Sequence, residues 1–85
     1  MNFIASIRVT LKESVLDPQG SAVVHALHSL SFSSVSDVRI GKYMEVAFQA
    51  QDEQAARDQV SHMCEQLLTN PVIETYSFTL AEVRE

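Results

Sequence analysis

The stretch VSDVRIGKYMEVAFQA, residues 35–50, holds two strand-like runs, 35–40 and 43–50, on either side of Gly41-Lys42. A two-residue connection that begins with glycine suits a tight primed hairpin turn, because such turns need positive φ at a central position. In the second run Met44, Val46, Phe48 and Ala50 share one face, the alternation of a half-buried strand. Taken as a hairpin, this stretch supplies the two middle strands of the chain.

Upstream, NFIASIRVTLK alternates cleanly. Phe3, Ala5, Ile7, Val9 and Leu11 point one way and Ser6, Arg8, Thr10 and Lys12 the other, which is a first strand with one wet face. From Pro18 to about Leu30 the period becomes helical, with Val23, Leu27 and Leu30 on one stripe and Val24 beside them. Asp17 is placed to cap this helix and Pro18 to fill its first turn. Gly20 is out of character there: a capping box wants Glu or Gln at that position, and glycine inside a helix costs roughly 0.5–1 kcal/mol relative to Ala.

Downstream, Asp52 caps a second helix with the stripe Ala56, Val60, Met63, Cys64 and Leu67, and Asn70-Pro71 stops it. The run VIETYSFTL closes the chain as a last strand. Tyr76, Phe78 and Leu80 turned inward carry Glu74 inward with them and leave Ile73 outside. The order β-α-β-β-α-β predicts an α+β sandwich of the ferredoxin-like kind. Two helices would cover one face of a four-stranded antiparallel sheet, in a single domain over residues 1–85.

At 85 residues a monomer buries only about 60–65% of the surface its unfolded chain exposes and is marginal alone. One cysteine makes no internal disulfide, so self-association is the support left open. Two exposed sheet edges in this topology point the same way, to a homodimer or larger. No secretory leader or membrane span is legible, and the reading is a reduced, cytoplasmic protein. With a formal charge of −5 and six Lys and Arg, the chain lacks the basic surface of a nucleic-acid binder.

Catalytic chemistry is equally hard to find. There is no nucleophile–base pair, no confidently placed carboxylate pair and no glycine-rich phosphate loop. His25 and His28 sit three apart on the polar side of the first helix, a spacing compatible with a metal but without a third ligand. Cys64 falls on a core stripe and reads as a small buried hydrophobe. The open sheet face has Tyr43 as its one stacking aromatic, too few for RNA. Arg39, Gly41 and Lys42 form a small cationic tip in this reading.

Three segments carry a resemblance: Leu16-Asp17-Pro18-Gln19-Gly20, Arg39-Ile40-Gly41-Lys42 and Leu68-Thr69-Asn70-Pro71-Val72-Ile73-Glu74. In this order and at these spacings the chain resembles the small subunit of bacterial phosphoribosylformylglycinamidine synthase, PurS, over nearly its whole length. One departure is Ser31-Phe32-Ser33 after the first helix, where many members have Gly. The resemblance implies a non-catalytic homodimer or larger, with no cofactor of its own. It would help assemble a large synthetase subunit, which uses ATP and Mg, with a glutaminase subunit that releases ammonia. The partner-binding residues expected on this chain are Asp17, Pro18, Gln19, Gly20, Arg39, Gly41, Lys42 and Asn70. At Gly20 the missing Cβ would admit a partner's backbone or an anionic group, with Gln19 reaching across, although packing against Leu16 or the adjoining strand also accounts for it. The competing expectation is a dimeric small-ligand regulatory module that binds an amino acid near the same DPQG loop.

Overall fold

A computed structural model describes residues 1–84. The elements are β1 (Asn2–Leu11), α1 (Pro18–Ser29), β2 (Gly41–Gln49), α2 (Glu53–Met63), a π-helical turn over Cys64–Leu68, and β3 (Glu74–Val83). The three strands form one antiparallel sheet in the order β2-β1-β3. Asn2 through Thr10 pair with Gln49 back to Gly41, and Asn2 through Leu11 pair with Val83 back to Glu74.

The alternation of β1 is realised residue by residue: Phe3, Ala5, Ile7 and Val9 are buried. Above them lie Ala56 and Val60 of α2 and Cys64 of the π turn, also buried. Met44, Val46 and Phe48 of β2 and Tyr76, Phe78 and Leu80 of β3 pack partly buried against this cluster. The inward phase expected for β3 is therefore observed, with Ile73 left 38% exposed in the preceding turn. The opposite face stays polar. Arg8 lies between Tyr43 and Ser77, and Thr10 between Gly41 and Thr75.

Three expectations need correction. The sheet has three strands, because segment 35–40 pairs with nothing as a strand among the described residues. No glycine has positive φ, so Gly41-Lys42 makes no primed turn. Instead Gly41 pairs directly with Thr10, and the chain runs straight from segment 35–40 into β2. A Cβ on Gly41 would stand 2.2 Å from the Val9 carbonyl oxygen, so glycine serves a close backbone crossing there.

The second correction concerns α1. Its apolar stripe does not cover the sheet: of the helix only Gly20 is buried, and the core cluster contains no α1 residue. Leu30 is 67% exposed, and Val23 is exposed as well.

The third is local. Leu67, expected on the α2 stripe, is 82% exposed, while Leu68 packs on the core. The Thr69 amide donates to the Cys64 carbonyl at 2.9 Å, an i→i+5 closure that takes an extra residue into the turn and moves the apolar stripe one position along. The Thr69 hydroxyl donates to the same carbonyl at 2.7 Å.

Both caps form as expected. The Asp17 carboxylate accepts the Gly20 amide at 2.9 Å, and the Asp52 carboxylate accepts the Ala55 amide at 2.8 Å. At its other end α1 closes in a Schellman arrangement: Ser31 N–H donates to His28 and Phe32 N–H to Leu27, each at 3.0 Å. Ser31 occupies the left-handed position with φ 76°. Left-handed backbone costs an L-residue about 1–2 kcal/mol, and a freer unfolded chain gives back about 0.4–1 kcal/mol of any glycine replacement's gain. Ser31→Gly is expected to stabilise the chain by about 0.5–1 kcal/mol, read as a melting temperature about 3–6 °C higher by circular dichroism. A lower melting temperature would show that the Ser31 side chain holds the loop.

Candidate functional site

The three segments singled out in the sequence converge at one end of the sheet. Val9, Leu11, Asp17, Pro18, Gln19, Ile40, Gly41, Lys42 and Glu74 line a surface cleft of about 310 Å³. The floor is apolar, from Val9, Leu11, Pro18 and Ile40. Gln19, Lys42 and Glu74 supply the polar side chains of the rim.

Asp17 is the joint that closes this arrangement. It is 7% exposed and accepts two backbone amides, Gly20 on Oδ1 at 2.9 Å and Ile40 on Oδ2 at 2.7 Å. Those bonds, Ile40 first and Gly20 second, hold its pKa below the usual 3.8, and the Arg39 charge adds to the effect against the opposing desolvation. A single side chain thus caps α1 and fixes the entry to β2.

Arg39 does related work from the other side. Its Nη2 donates to the Lys12 carbonyl at 2.9 Å and the Val15 carbonyl at 3.1 Å, pinning the loop between β1 and α1. The expected cationic tip is thereby reduced: the guanidinium is committed within the chain, and Lys42 remains the extended cation. The Lys42 ammonium stands 3.7 Å from Glu74 Oε2, with the Lys side chain 64% exposed and the Glu side chain 13%.

Asn70 reaches the cleft only through others. Its Oδ1 accepts the Val72 amide at 3.1 Å, and its carbonyl accepts the amides of Ile73 and Glu74 at 3.1 and 2.8 Å. Its own amide donates to Glu74 Oε1 at 2.7 Å. Turn closure explains this residue, and Glu74 carries the third segment into the cleft. Glu74 was absent from the expected site, although its inward phase on an apolar strand was the signal that marked it.

Gly20 faces this chain's own backbone. A Cβ placed there would stand 2.0 Å from the Val38 carbonyl oxygen and 2.9 Å from Asp17 Oδ2. The space that glycine leaves open is filled by this chain's own segment before β2, so of the two readings of Gly20 the internal packing contact holds, with Val38 as the neighbour, and the approach of a partner's backbone does not. Pro18, Gln19 and Lys42 are the motif residues that present an exposed side chain at the cleft.

Among the described residues no group of three or more His, Cys, Asp or Glu is placed to hold a metal. His28 Nε2 lies 2.7 Å from the Val35 carbonyl, a contact that ties the helix to the following loop. Cys64 is buried, and its thiol pKa is pushed up by that burial and further by the Glu65 charge. It is no nucleophile in this state. No helix among the described residues is long and apolar enough to cross a membrane.

By class this is a small α+β protein that builds a hydrogen-bonded cleft from three separate segments at one end of its sheet. The comparisons with known proteins then specify the family. The family model for PurS, phosphoribosylformylglycinamidine (FGAM) synthase, matches residues 4–82, and the chain belongs to the PurS family. Phosphoribosylformylglycinamidine synthase subunit PurS of Bacillus subtilis (strain 168) is 56% identical over 80 residues, covering 91% of this chain and 90% of that protein. A structure of B. subtilis PurS in a C2 crystal form matches with a TM-score of 0.85 and 52% identity, over 94% of this chain and 99% of that one. A chain in the structure of PurLQS from Thermotoga maritima matches with a TM-score of 0.87 and 30% identity, over 95% and 99% of the two chains. These likenesses do not favour the small-ligand regulatory alternative.

Proposed function

We infer that this chain is the PurS subunit of a phosphoribosylformylglycinamidine synthase, acting in purine biosynthesis as a non-catalytic, self-associating scaffold. It is a single domain over residues 1–85 that works in the cytoplasm and joins a large synthetase subunit to a glutaminase subunit. ATP and Mg belong to the large subunit in this reading, and this chain contributes no cofactor site. The observation that carries it is the meeting of DPQG, RIGK and the Asn70–Glu74 turn in one internally braced cleft, on a chain whose relatives are named as PurS subunits. Bracing matters because docking onto a preorganised surface spends little binding free energy on ordering it.

Pro18, Gln19 and Lys42 are the side chains that meet a partner. Asp17, Gly20, Arg39, Gly41 and Asn70 act one step back, by holding them in place. The test is reconstitution with purified large and glutaminase subunits. Glutamine-dependent product formation is expected to require this chain, and the requirement should weaken when ammonia is supplied directly, because delivery is bypassed. The isolated chain should turn over neither glutamine nor ATP. Equal dependence on this chain with either nitrogen source would assign it to synthetase activation instead of ammonia delivery.

A further inference from the structure

The inner rows of the two outer strands both end in a charge. On β2 Lys42 stands at the alternate position before the core residues Met44 and Val46, and on β3 Glu74 stands before Tyr76 and Phe78. Val9, buried in the core, pairs with Lys42 on one side and Tyr76 on the other, and Leu11 pairs with Glu74. The register therefore sets both charges on the apolar face of the sheet, at its cleft end, where apolar residues would have continued the core.

The two charges are not equivalent. The Glu74 side chain is 13% exposed, and its Oε1 is satisfied by the Asn70 amide at 2.7 Å. The Lys42 side chain is 64% exposed, and its one ion-pair contact among the described residues, to Glu74 Oε2, is 3.7 Å long. A charge-assisted N–H···O bond is about 2.7–2.9 Å, so the donors of the ammonium are left to share. The other ionic groups nearby are spent. Arg39 donates to the carbonyls of Lys12 and Val15, and Asp17 accepts two amides. Above the apolar floor, the cleft thus turns outward one uncommitted cation and the carboxamide of Gln19.

We propose that the cleft takes a segment of the large subunit in which an apolar side chain stands next to an aspartate or glutamate. The apolar side chain fills the floor, the carboxylate accepts from the Lys42 ammonium, and the Gln19 carboxamide, both donor and acceptor, meets the backbone between them. Size agrees with a side chain and its flanking backbone: about 310 Å³ lies at the lower limit of the roughly 300–1,000 Å³ of small-molecule pockets. Charge agrees as well, since a basic side chain entering here would meet Lys42 first, like against like. Lys42 is then shared between two carboxylates, its own Glu74 and the partner's. The proposal rests on the docking reading of the cleft and names the chemistry that the cleft recognises.

A charge series at Lys42 tests it on the full chain, read as affinity for the purified large subunit. Lys42→Met keeps the stem and removes the charge, and is expected to weaken binding about tenfold or more. Lys42→Arg keeps a charged donor and should stay within about threefold of the native chain. Lys42→Glu sets carboxylate against carboxylate and should bind more weakly than Lys42→Met. The melting temperature of Lys42→Met should stay within about 2 °C of native, because an exposed ion pair contributes little stability. A Lys42→Met chain that binds as tightly as the native one would overturn the carboxylate, and so would a Lys42→Glu chain that binds more tightly than Lys42→Met. Weakened affinity for the glutaminase subunit alone would overturn the assignment to the large subunit. In each of those cases, glutamine-dependent synthesis that still requires the native chain leaves the scaffold reading standing. Synthesis that does not depend on the native chain would overturn both.

Discussion

Gly20→Ala is expected to lower the melting temperature by about 10 °C or more, although alanine is the better helix former. Propensity alone favours alanine by about 1 kcal/mol. Against that stands a methyl 2.0 Å from a backbone oxygen, that of Val38. No real contact tolerates this, and the neighbour is main chain, which cannot rotate away. Segment 38–40 would have to move, taking with it the 2.7 Å bond from Ile40 N–H to Asp17. Overpacking of this sort costs typically about 1–3 kcal/mol, occasionally more, and the lost hydrogen-bond geometry at a buried carboxylate adds to it. In a domain of this size each kcal/mol is worth about 4–8 °C. Gln19→Ala is the control: its side chain is exposed, so the melting temperature should stay within about 2 °C while affinity for the large subunit falls. A Gly20→Ala chain that melts like the native one would mean that α1 swings freely on its N-terminus.

Asp17→Asn should be the next most damaging change, and the one that depends on pH. The native carboxylate accepts two amides with its two oxygens. An asparagine offers one acceptor and turns an NH2 toward the other amide, donor against donor. At neutral pH the melting temperature is expected to fall by about 5 °C or more, within the range of lost caps. The pH sign follows from the lowered pKa of Asp17 in the folded chain. A group depressed by folding stabilises fully above its unfolded value, here 3.8, and that stabilisation disappears as pH falls through the lower folded value. The gap between native and Asp17→Asn melting temperatures should therefore be constant from pH 7 to about 5 and close below about 4. A gap unchanged down to pH 2 would mean that the charge of Asp17 contributes nothing.

What the sequence made legible was local chemistry, and what it hid was tertiary. The alternation of Phe3, Ala5, Ile7 and Val9 needed no partner to be recognised, and neither did the caps Asp17 and Asp52, because a strand's period and a cap's side chain are written within a few residues. Glu74 was visible as an anomaly: an inward carboxylate demands a donor, and Asn70 N–H and Lys42 supply it. The hairpin at Gly41-Lys42 was misread because glycine has two uses, positive φ and close approach. Only the position of Val9 tells them apart. The stripe of α1 was read as a face laid on the sheet, yet the helix leaves it exposed. Periodicity marks an apolar face and carries no information on what it packs against. At Gly20 two readings stood open, partner approach and packing within the chain, and the sequence could not choose because the neighbour Val38 lies eighteen residues on and across a loop. Leu67 was misplaced by the extra residue in the turn over Cys64–Leu68, which no residue type in that turn announces.

The cleft is assembled from residues far apart along the chain. Asp17 meets Ile40 across 23 positions, Arg39 meets Lys12 across 27, and Lys42 meets Glu74 only after α2 and its turn have been laid down. Closing such loops is entropically costly and comes late, after local helices and turns have formed. A nascent or half-folded chain can display α1 and the Asn70 turn as isolated pieces, but it cannot display the cleft. Under the proposed docking role the cleft is therefore a certificate of completion: a partner that read it would incorporate finished subunits and pass over unfinished ones, without any separate step of inspection.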